Sequence, residues 1–555
     1  MTQRHSRQPL SQRHSQFFSQ PLDRAAATVM ALLTVVIVAM LLLGSQALPR
    51  VREFSWQNQT VMTDDIAFLL TFSQPMDPQS VEENLIIEPA LSGKFSWAGR
   101  LMAYTLDLPA PYGETYKITL PDAQALNRKA GFEPFESEFE SRDRVFAYIG
   151  SEGDEAGRLI LFNLTQKKKT LLTSEGQLVL DFQPYPERDR ILFSAVSAAD
   201  NTDRTATAQL YSVTTGLSAP TVRPRWQFWP QQPTAEAGTT KLILDNSDYQ
   251  NLNFDLSPDG KTIVVQRVSQ NNPADLGQWI LQANQPPRKL DTEPGGDFRI
   301  APDNSSLLLQ QGQGTAILSL DPVDTTARKN EENQPDSQSN SQSSSQSDTL
   351  IDFLPDYGLA LDIASDGSSA ALVNYNQDDP ERQFLETLFL VSNRGEEKRL
   401  LDTDGRIVSA QFDKGGKLLY SLVTQVVGDK NEVGDQSESD EPSPIKDTYR
   451  NTYEESYQES PYLAVVNVET GKAQKLIELP PQSEITLDLA PDGLAILFDE
   501  AIAEEQPSTS DYVEPTHRLW LLPLFSTLEE RKDGTPVALT PTSLDIVGRH
   551  PIWLP

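Results

Sequence analysis

The chain has 555 residues, which is long enough for more than one domain with a core of its own. Its 79 Asp and Glu residues outnumber its 46 Lys and Arg residues, and the formal net charge of −33 repels nucleic acid and anionic lipid headgroups. It has no cysteine, which excludes disulfides, thiol nucleophiles and cysteine-ligated metal centres.

The N-terminal segment predicts a membrane anchor. Residues 25–44 read AAATVMALLTVVIVAMLLLG, an uncharged stretch whose length matches the hydrocarbon core of a bilayer. Residues 1–24 form a basic tail with four arginines and one aspartate, which the positive-inside rule assigns to the cytoplasm. We therefore expect a transmembrane signal-anchor helix at 25–47. A cleaved signal peptide is the alternative, because Ser45-Gln46-Ala47 has the form of a cleavage site.

The part of the chain that this topology exports is strongly acidic. Once the tail's +3 is set aside, a net charge of −36 remains. A large exported chain without cysteine fits a bacterial envelope better than a eukaryotic cell surface, where disulfides are common. We expect a single-pass protein of the bacterial plasma membrane, with its C-terminal domains in the periplasm or outside the cell.

Residues 51–143 predict a β-sandwich. Short runs of alternating apolar and polar residues are separated by Pro, Gly, Asp and Asn, at the spacing of a seven-stranded sandwich. Four segments resemble the bacterial Ig-like domain of the S-layer (SbsA) type, and this resemblance implies an adhesive or spacer module without catalysis. These segments are LTFSQPMDPQSV (70–81), GKFSW ending at Trp97, YGETYKITL (112–120) and FESEF (135–139).

From residue 144 onward one phrase recurs, made of an apolar strand, a turn of the Pro-Asp-Gly type and a second apolar strand. Proline sets the first corner of such a turn and glycine takes its positive φ. Copies follow one another at about 45 to 75 residues, which is room for four strands and predicts propeller blades. The copies are 178–193, 252–265, 296–309, 359–372, 408–421 and 485–498.

The last residues, PIWLP, align as a seventh copy, with Trp553 on the apolar position of Phe182 and Leu256. Pro555 then falls on the position of Pro184 and Pro258. We expect VFAYI (145–149) to be the missing second strand, so that the C-terminal strand closes the ring and leaves no open edge.

The whole block 144–555 is therefore predicted to be a seven-bladed β-propeller. Its phrases SPDGKTIVV and APDGLAILF resemble the WD40-like repeats of the TolB-type propeller family. Propellers of that family often have six blades, so six is the alternative. The fold class expected for the chain is all-β, with one N-terminal transmembrane helix, an Ig-like sandwich and this propeller.

Long insertions are expected between the second and third strands of several blades, at 197–207, 376–385, 425–460 and 501–516. They elaborate one face of a propeller, and such loops often carry function. Three segments, near 324–348, 428–460 and 501–516, have the composition of disordered insertions.

Two aromatic groups, one in the insertion 425–460 and one in a loop of the opposite face, are candidate partner-binding residues. Tyr449, Tyr453 and Tyr457 recur every four residues, which would line one side of a helix. The alternative is a short helix folded over its own blade. On the opposite face, RPRWQFWPQQP (223–233) could stack on a sugar or grip a partner, or simply plug the blade. Its candidate residues are Arg223, Arg225, Trp226 and Trp229.

A column of carboxylates is a candidate channel lining. If these side chains point inward, they could bind a cation or the basic end of a peptide. The alternative is that they hydrogen-bond a neighbouring turn. The column consists of Asp181, Asp255, Asp362 and Asp488, with Arg299 and Gln411 in the same register.

No catalytic constellation is recognisable in the sequence. Outside the tail the histidines are His517 and His550, too few for a histidine-rich metal site, and no GxSxG motif occurs. We therefore predict no cofactor, no metal and no enzymatic activity. The expected function is a protein–protein scaffold for an envelope partner. A wall or surface glycan-binding protein and a hydrolase or lyase with its site in the channel are the alternatives.

Overall fold

A computed structural model describes most of the chain, and its residues form two compact units. The first comprises the described residues up to Val61 together with Asp65–Asp107 and Thr115–Glu140; the second comprises Met62–Asp64, Leu108–Glu114 and Ser141–Pro555. The residues described are 21–44, 48–126, 131–199, 207–217, 235–321, 349–427, 458–482, 485–502, 516–537 and 539–555.

The N-terminal helix α1 runs from Pro21 to Gly44. Proline suits the first position of a helix because its missing N–H would have no partner there, and glycine commonly ends one. Among the side chains described, which in α1 are those of residues 25–40, no helix is long and apolar enough to cross a bilayer.

The part of the first unit that the structure describes has eight strands in two antiparallel sheets of four. The strand orders are β1-β3-β6-β5 and β2-β8-β7-β4. A short helix, α2 (Pro78–Asn84), occupies part of the segment that resembles the S-layer domain. The strands are β1 (Val51–Phe54), β2 (Thr60–Val61), β3 (Ala67–Phe72), β4 (Ile86–Glu88), β5 (Gly93–Ala98), β6 (Leu101–Leu106), β7 (Thr115–Leu120) and β8 (Phe135–Ser141).

Aromatic side chains hold these two sheets face to face. Phe139 of β8 lies with its ring centroid 6.0 Å from that of Phe54 in β1 and 5.1 Å from that of Trp56. Phe68 of β3 contacts the same two rings from its own sheet. All four side chains are buried, so the inner faces of the two sheets form one core.

The described residues of the second unit form 27 strands, β9 to β35. Five four-stranded antiparallel sheets follow chain order, β12 to β15, β16 to β19, β20 to β23, β24 to β27 and β28 to β31; a seven-stranded sheet has the order β11-β10-β9-β35-β34-β33-β32. The predicted all-β character is confirmed.

The bounds of these strands are as follows. The first sixteen are β9 (Val145–Gly150), β10 (Leu159–Asn163), β11 (Lys168–Leu171), β12 (Gln177–Pro184), β13 (Arg190–Ser197), β14 (Gln209–Thr214), β15 (Thr240–Leu244), β16 (Tyr249–Leu256), β17 (Thr262–Ser269), β18 (Leu276–Gln282), β19 (Arg288–Lys289), β20 (Phe298–Ile300), β21 (Ser306–Gln311), β22 (Gly314–Ser319), β23 (Leu350–Leu354) and β24 (Leu359–Ile363). The others are β25 (Ser369–Asn374), β26 (Glu386–Ser392), β27 (Glu397–Thr403), β28 (Ile407–Phe412), β29 (Leu418–Val427), β30 (Gln458–Asn467), β31 (Ala473–Glu478), β32 (Leu487–Leu489), β33 (Ala495–Ala501), β34 (His517–Pro523) and β35 (Thr542–Trp553), with helix α3 (Leu528–Asp533) before the last.

Each recurring phrase forms the hairpin between the first and second strands of its sheet, as predicted. The turn of the second copy shows why the sequence folds this way. Gly260 donates its N–H to the carbonyl of Ser257 at 2.8 Å and has φ +69°, a conformation that glycine adopts without strain. The local chemistry of the turn therefore fixes each hairpin.

The long insertions also lie where the strand pattern placed them. Four follow the second strand of a sheet, between β13 and β14, β25 and β26, β29 and β30, and β33 and β34. Two follow the third strand, between β14 and β15 and between β22 and β23. In an antiparallel sheet of four strands these two kinds of connection lie at opposite ends.

The longest strand, β35, belongs to two groups of strands at once. Its first part pairs with β34, for example Val547 with Arg518, and its second part pairs with β9, where Trp553 lies opposite Phe146. The predicted pairing of PIWLP with residues 145–149 is therefore confirmed. Chain start and chain end of this unit are joined by a backbone ladder.

We predict that Trp553→Ala strongly destabilises the second unit. Trp553 is buried, and its ring contacts Phe146 at a centroid distance of 5.6 Å within a core shared by both parts of the seven-stranded sheet. The free energy of unfolding measured in urea should fall by about 3–5 kcal/mol. The control Trp553→Phe, which keeps an aromatic ring, should lose less than half as much. A loss below about 1 kcal/mol for the alanine variant would contradict this role for β35.

Candidate functional site

The first strands of successive sheets are joined by a chain of side-chain hydrogen bonds, which we call the belt. Gln183 of β12 accepts the backbone N–H of Leu256 in β16 at 2.8 Å, and its amide nitrogen donates to Asp255 Oδ1 at 3.1 Å. Asp255 Oδ2 accepts the backbone N–H of Ile300 in β20 at 2.6 Å. Each belt residue thus bonds the backbone of the next first strand.

The third belt position is occupied by a residue that cannot accept a hydrogen bond. Arg299 of β20 instead forms an ion pair with Asp362 of β24, with 3.5 Å between Nη1 and Oδ1. Asp362 Oδ2 then accepts the backbone N–H of Phe412 in β28 at 2.8 Å. An electrostatic contact therefore replaces one backbone link, and the belt continues.

The next two links repeat the first. Gln411 of β28 accepts the backbone N–H of Leu489 in β32 at 2.8 Å and donates to Asp488 Oδ1 at 3.0 Å. Asp488 Oδ2 accepts the backbone N–H of Trp553 in β35 at 2.7 Å. The belt has now passed through all seven first strands, counting the C-terminal part of β35.

The return from β35 to β12 uses different residues. The equivalent positions hold Ile552, which has no side-chain acceptor, and Pro184, which has no N–H. Here His550 Nε2 lies 3.1 Å from Asp181 Oδ1, and this contact joins the two strands. The belt therefore returns to the strand where it began.

The structure corrects the register of the first copy of the phrase. Its turn begins at Pro186 and not at Pro184, because Arg188 donates to the carbonyl of Tyr185 as Gly260 does to Ser257. Gln183, and not Asp181, is thus the equivalent of Asp255. Two prolines two residues apart both satisfied the sequence pattern, and only the hydrogen bond of the turn distinguishes them.

The carboxylates of the predicted column are held by protein donors. Both oxygens of Asp255 and of Asp488 accept hydrogen bonds from the belt. Asp362 accepts a hydrogen bond from Phe412 in the next strand. This agrees with the alternative considered for the column, that its carboxylates hydrogen-bond neighbouring segments. Within the described residues no group of three or more Asp, Glu or His side chains could hold a metal ion.

Burial controls the charge of this column. It raises the pKa of Asp255 and of Asp362, although the positive charge of Arg299 opposes both shifts. Burial raises the pKa of Asp488 to about 7, against the hydrogen bonds from Trp553 and Gln411 and the nearby His550. The carboxyl group of Asp488 therefore titrates near neutral pH.

A cavity of about 490 Å³ lies beside the turns of the second unit. Its wall is mostly apolar and rich in proline, and it includes Trp553 and Phe412. Lys414 on the wall is hydrogen-bonded to both Thr63 and Asp64. The polar residues of the wall are Thr63, Asp64, Arg142, Gln411, Lys414 and Asp488. Two belt residues, Gln411 and Asp488, therefore lie on its wall.

The candidate partner-binding residues of the insertions lie outside the described residues. This holds for Tyr449, Tyr453 and Tyr457, and also for Arg223, Arg225, Trp226 and Trp229. They stay predictions.

A described loop on the same end of the sheets as the long insertions presents one apolar side chain to solvent. Phe384, between β25 and β26, is 83% exposed. The sequence pattern marked this loop as long but did not single out Phe384, because a lone phenylalanine in a polar segment carries no periodic signal. Asp378, Asp379 and Glu381 precede it in the loop.

Buried polar contacts fix the base of this loop. Asn376, buried, donates through Nδ2 to the carbonyl of Leu385 at 2.7 Å and to Thr387 Oγ1 at 2.8 Å. Arg382 Nη2 lies 2.5 Å from Asp402 Oδ1 and 2.8 Å from Thr387 Oγ1. These contacts tie the two ends of the loop to each other and its middle to the neighbouring strands β26 and β27.

Comparison with known proteins gives only distant likenesses. TolB from Acinetobacter baumannii is 9% identical over 85% of this chain and 83% of that chain, with a TM-score of 0.37. An oligogalacturonate lyase from Vibrio parahaemolyticus is 11% identical over 64% and 88%, with a TM-score of 0.35, and hydrazine synthase from Kuenenia stuttgartiensis is 11% identical over 67% and 85%, with a TM-score of 0.34. No family model and no curated protein matches the chain. All three likenesses concern the fold alone.

We predict that Asp488 makes the stability of the second unit decrease with rising pH. The folded pKa of about 7 exceeds the ordinary value of 3.8, so the folded state holds a proton between these values that the unfolded chain has lost. The stabilisation is complete below pH 4 and is lost as the pH rises to 7. The measurement is the free energy of unfolding in urea at several pH values. Asp488→Asn should make its decrease with pH less steep by about 1.4 kcal/mol per pH unit. Equal slopes for both proteins between pH 5 and 7 would contradict the prediction.

Proposed function

We propose that this protein is a membrane-anchored scaffold of a bacterial envelope, which holds a protein partner on the loop face of an acidic propeller. The loop face is the end of the sheets that carries the connections between second and third strands. The single observation that carries the proposal is the exposed Phe384 on a braced loop of this face. Exposed aromatic side chains of fixed conformation are typical anchors of protein interfaces.

The contacts of this loop distinguish an anchor from an incidental exposed residue. A phenylalanine on an unconstrained loop can fold back and cover itself, whereas this loop is fixed by Asn376 and by the pair Arg382 and Asp402. Holding the ring in solvent lowers the entropy that binding must still remove. The neighbouring acidic residues indicate a partner with an apolar pocket and a basic rim.

The finer architecture that we propose has seven blades. The five sheets of four strands supply five, and the seven-stranded sheet supplies two that share β35. Hydrogen bonds and ion pairs of the belt connect these seven groups in chain order and return to the first, which supports a closed ring. The two packed sheets of the first unit we propose to be an Ig-like spacer.

The membrane anchor is also part of the proposal. The uncharged stretch 25–44 lies within helix α1, and the basic tail precedes it. An exported part with a net charge of −36 would be kept off the anionic bilayer surface by its own charge. The spacer between helix and propeller would serve the same purpose.

We predict that Phe384→Ala weakens capture of the envelope partner without affecting the fold. Truncating an anchor of this kind costs about 2 kcal/mol or more of binding, roughly a thirtyfold loss of affinity. The measurement is affinity capture from native envelope extract with the full chain, followed by titration of the protein that is retained. Unfolding temperature should stay unchanged, because the side chain is already in water.

Ile351→Ala is the matched control for this experiment, since Ile351 is an apolar residue of β23 that is 59% exposed. It should capture the partner as the unsubstituted protein does. Retention of wall glycan in place of any protein would refute the scaffold and favour the glycan-binding alternative. Partner capture that is equally strong with Phe384→Ala would refute this surface.

We further predict that deleting residues 1–47 moves the protein from the membrane fraction to the soluble fraction. An uncharged helix of this length partitions into the bilayer, and the remaining chain carries no comparable stretch. Fractionation of cells detects the change, and Val36→Arg serves as a control that keeps the length but places a charge at mid-helix. A mature N-terminus at residue 48 in mass spectra of the full-length product would contradict an anchor and indicate cleavage.

A further inference from the structure

A second cavity, with a volume of about 360 Å³, lies on the loop face at the end of the sheet β12 to β15. Its volume falls at the lower end of the range that is typical of small-molecule sites. No belt residue and no residue of the Phe384 loop is among the described residues that line it. The polar residues of its wall are Gln177, Ser197, Thr207, Gln209, Tyr211 and Asn246.

The strand register explains why polar side chains gather at this place. Gln177 of β12 lies opposite Ser197 of β13, and Gln209 of β14 lies opposite Ala195. Residues that lie opposite one another share a face of the sheet, and so do residues two positions apart along a strand. Two residues before Ala195, the same face of β13 is already part of an apolar core through Phe193. The cavity is therefore the polar end of a face that is otherwise apolar.

The wall of this cavity is polar without being charged. Its six polar side chains are three amides and three hydroxyls, whereas 23% of the residues of the chain are charged. Amide side chains and hydroxyls both donate and accept hydrogen bonds. An ion would find no opposite charge on the described part of the wall, which makes its burial costly. The wall therefore suits a neutral ligand that has several groups able both to donate and to accept.

A chain of hydrogen bonds fixes the orientation of two of the amides. Tyr211 donates its O–H to Gln209 Oε1 at 2.5 Å, and Gln209 Nε2 donates to Asn246 Oδ1 at 2.8 Å. The ring of Tyr211 is itself stacked on that of Phe193, with 5.4 Å between the centroids. Asn246 Nδ2 is left as a donor and makes no hydrogen bond within the described residues. These side chains need no reordering when a ligand binds, which lowers the entropic cost of binding.

One hydroxyl of the wall is buried without a partner. Thr207 Oγ1 lies out of contact with solvent and has no hydrogen-bond partner among the described residues. An unpaired buried hydroxyl costs free energy, and such a group in a folded protein indicates a ligand or a water that it binds. Thr207 and Asn246 together offer one acceptor and more than one donor, which is what adjacent hydroxyls of a ligand require.

We propose that this cavity binds one neutral sugar unit, as a free monosaccharide or as the end of a glycan. Sugar hydroxyls both donate and accept hydrogen bonds, so they match a wall of oriented amides and hydroxyls. The site is separate from Phe384, and sugar binding goes beyond the proposed capture of a protein partner. Either activity can fail without the other.

The test is isothermal titration calorimetry of the full chain in a detergent whose headgroup contains no sugar, because a sugar headgroup would compete for the site. The titrants are glucose, galactose, mannose and N-acetylglucosamine, then oligosaccharides that end in these units, and glucuronate as a charged counterpart. At least one neutral titrant should bind saturably and more tightly than glucuronate. Binding of a free monosaccharide identifies a small-molecule ligand, and binding of an oligosaccharide alone identifies the end of a glycan.

Asn246→Asp is the decisive variant. It keeps the acceptor that Gln209 uses but replaces the free amide donor by a carboxylate, so the affinity for the neutral sugar should fall about tenfold or more. Thr207→Val should weaken sugar binding about threefold or more. Without sugar, its unfolding temperature should be unchanged or higher, because the hydroxyl has no partner to lose. A purely structural hydroxyl would give the opposite result, a lower unfolding temperature with unchanged affinity.

Asn272→Asp is the matched control, since it adds the same charge to the exposed loop between β17 and β18 and keeps the acceptor for the N–H of Ala274. It should bind sugar as the unsubstituted protein does. The proposal is overturned if no neutral titrant binds, if glucuronate binds more tightly, or if Asn246→Asp binds as tightly as Asn272→Asp. Capture of the protein partner by Asn246→Asp should be unchanged, which distinguishes a failure of this site from a failure of the Phe384 surface.

Discussion

The second unit depends on one constraint. The first strand of each sheet has one edge without a neighbouring strand, and the backbone N–H groups on that edge still need hydrogen-bond acceptors. Such an edge would otherwise leave backbone N–H donors unpaired in the interior of the unit. The belt meets this constraint with one side chain per link. In β16, for example, the N–H of Leu256 is accepted by Gln183 of the strand before, and the adjacent residue, Asp255, accepts the N–H of Ile300 in the strand after. Glutamine and aspartate recur there because the position needs an acceptor of that reach.

The link from β35 back to β12 cannot use the same device, since Ile552 offers no acceptor and Pro184 no donor. His550 and Asp181 make the contact between these two strands instead. A separate backbone ladder pairs β35 with β9 and so joins the last strand of the unit to its first. Side chains therefore connect the first strands to one another, and main-chain bonds connect the two ends of the unit.

The sequence predicted those parts of this fold whose causes are local. A hairpin with glycine at its positive φ needs only a few residues, so the copies at Gly260 and Gly493 were recognisable, and so was the seventh copy at Trp553. The first copy was placed two residues out of register. Its turn has Arg188 at the position where glycine is expected. Pro184 fits the sequence pattern as well as Pro186, which is the proline of the turn.

What the sequence could not predict depends on residues brought together from afar. His550 and Asp181 lie near opposite ends of the second unit's sequence, and no sequence pattern pairs them. Phe384 is conspicuous only once Asn376 and Arg382 are seen to brace its loop. The insertions around Tyr453 and Trp226, which the sequence marks as candidate partner-binding segments, lie outside the described residues. The candidate surface that the structure describes is therefore a different one.

The same constraint bears on where ligand chemistry can lie. Carboxylates that accept hydrogen bonds from neighbouring strands have little capacity left for a cation or a peptide, and burial favours their neutral form, most clearly for Asp488. The belt side chains are thus committed to joining strands. The partner surface that we propose lies on the loop of Phe384, whose acidic residues and exposed ring take no part in the belt.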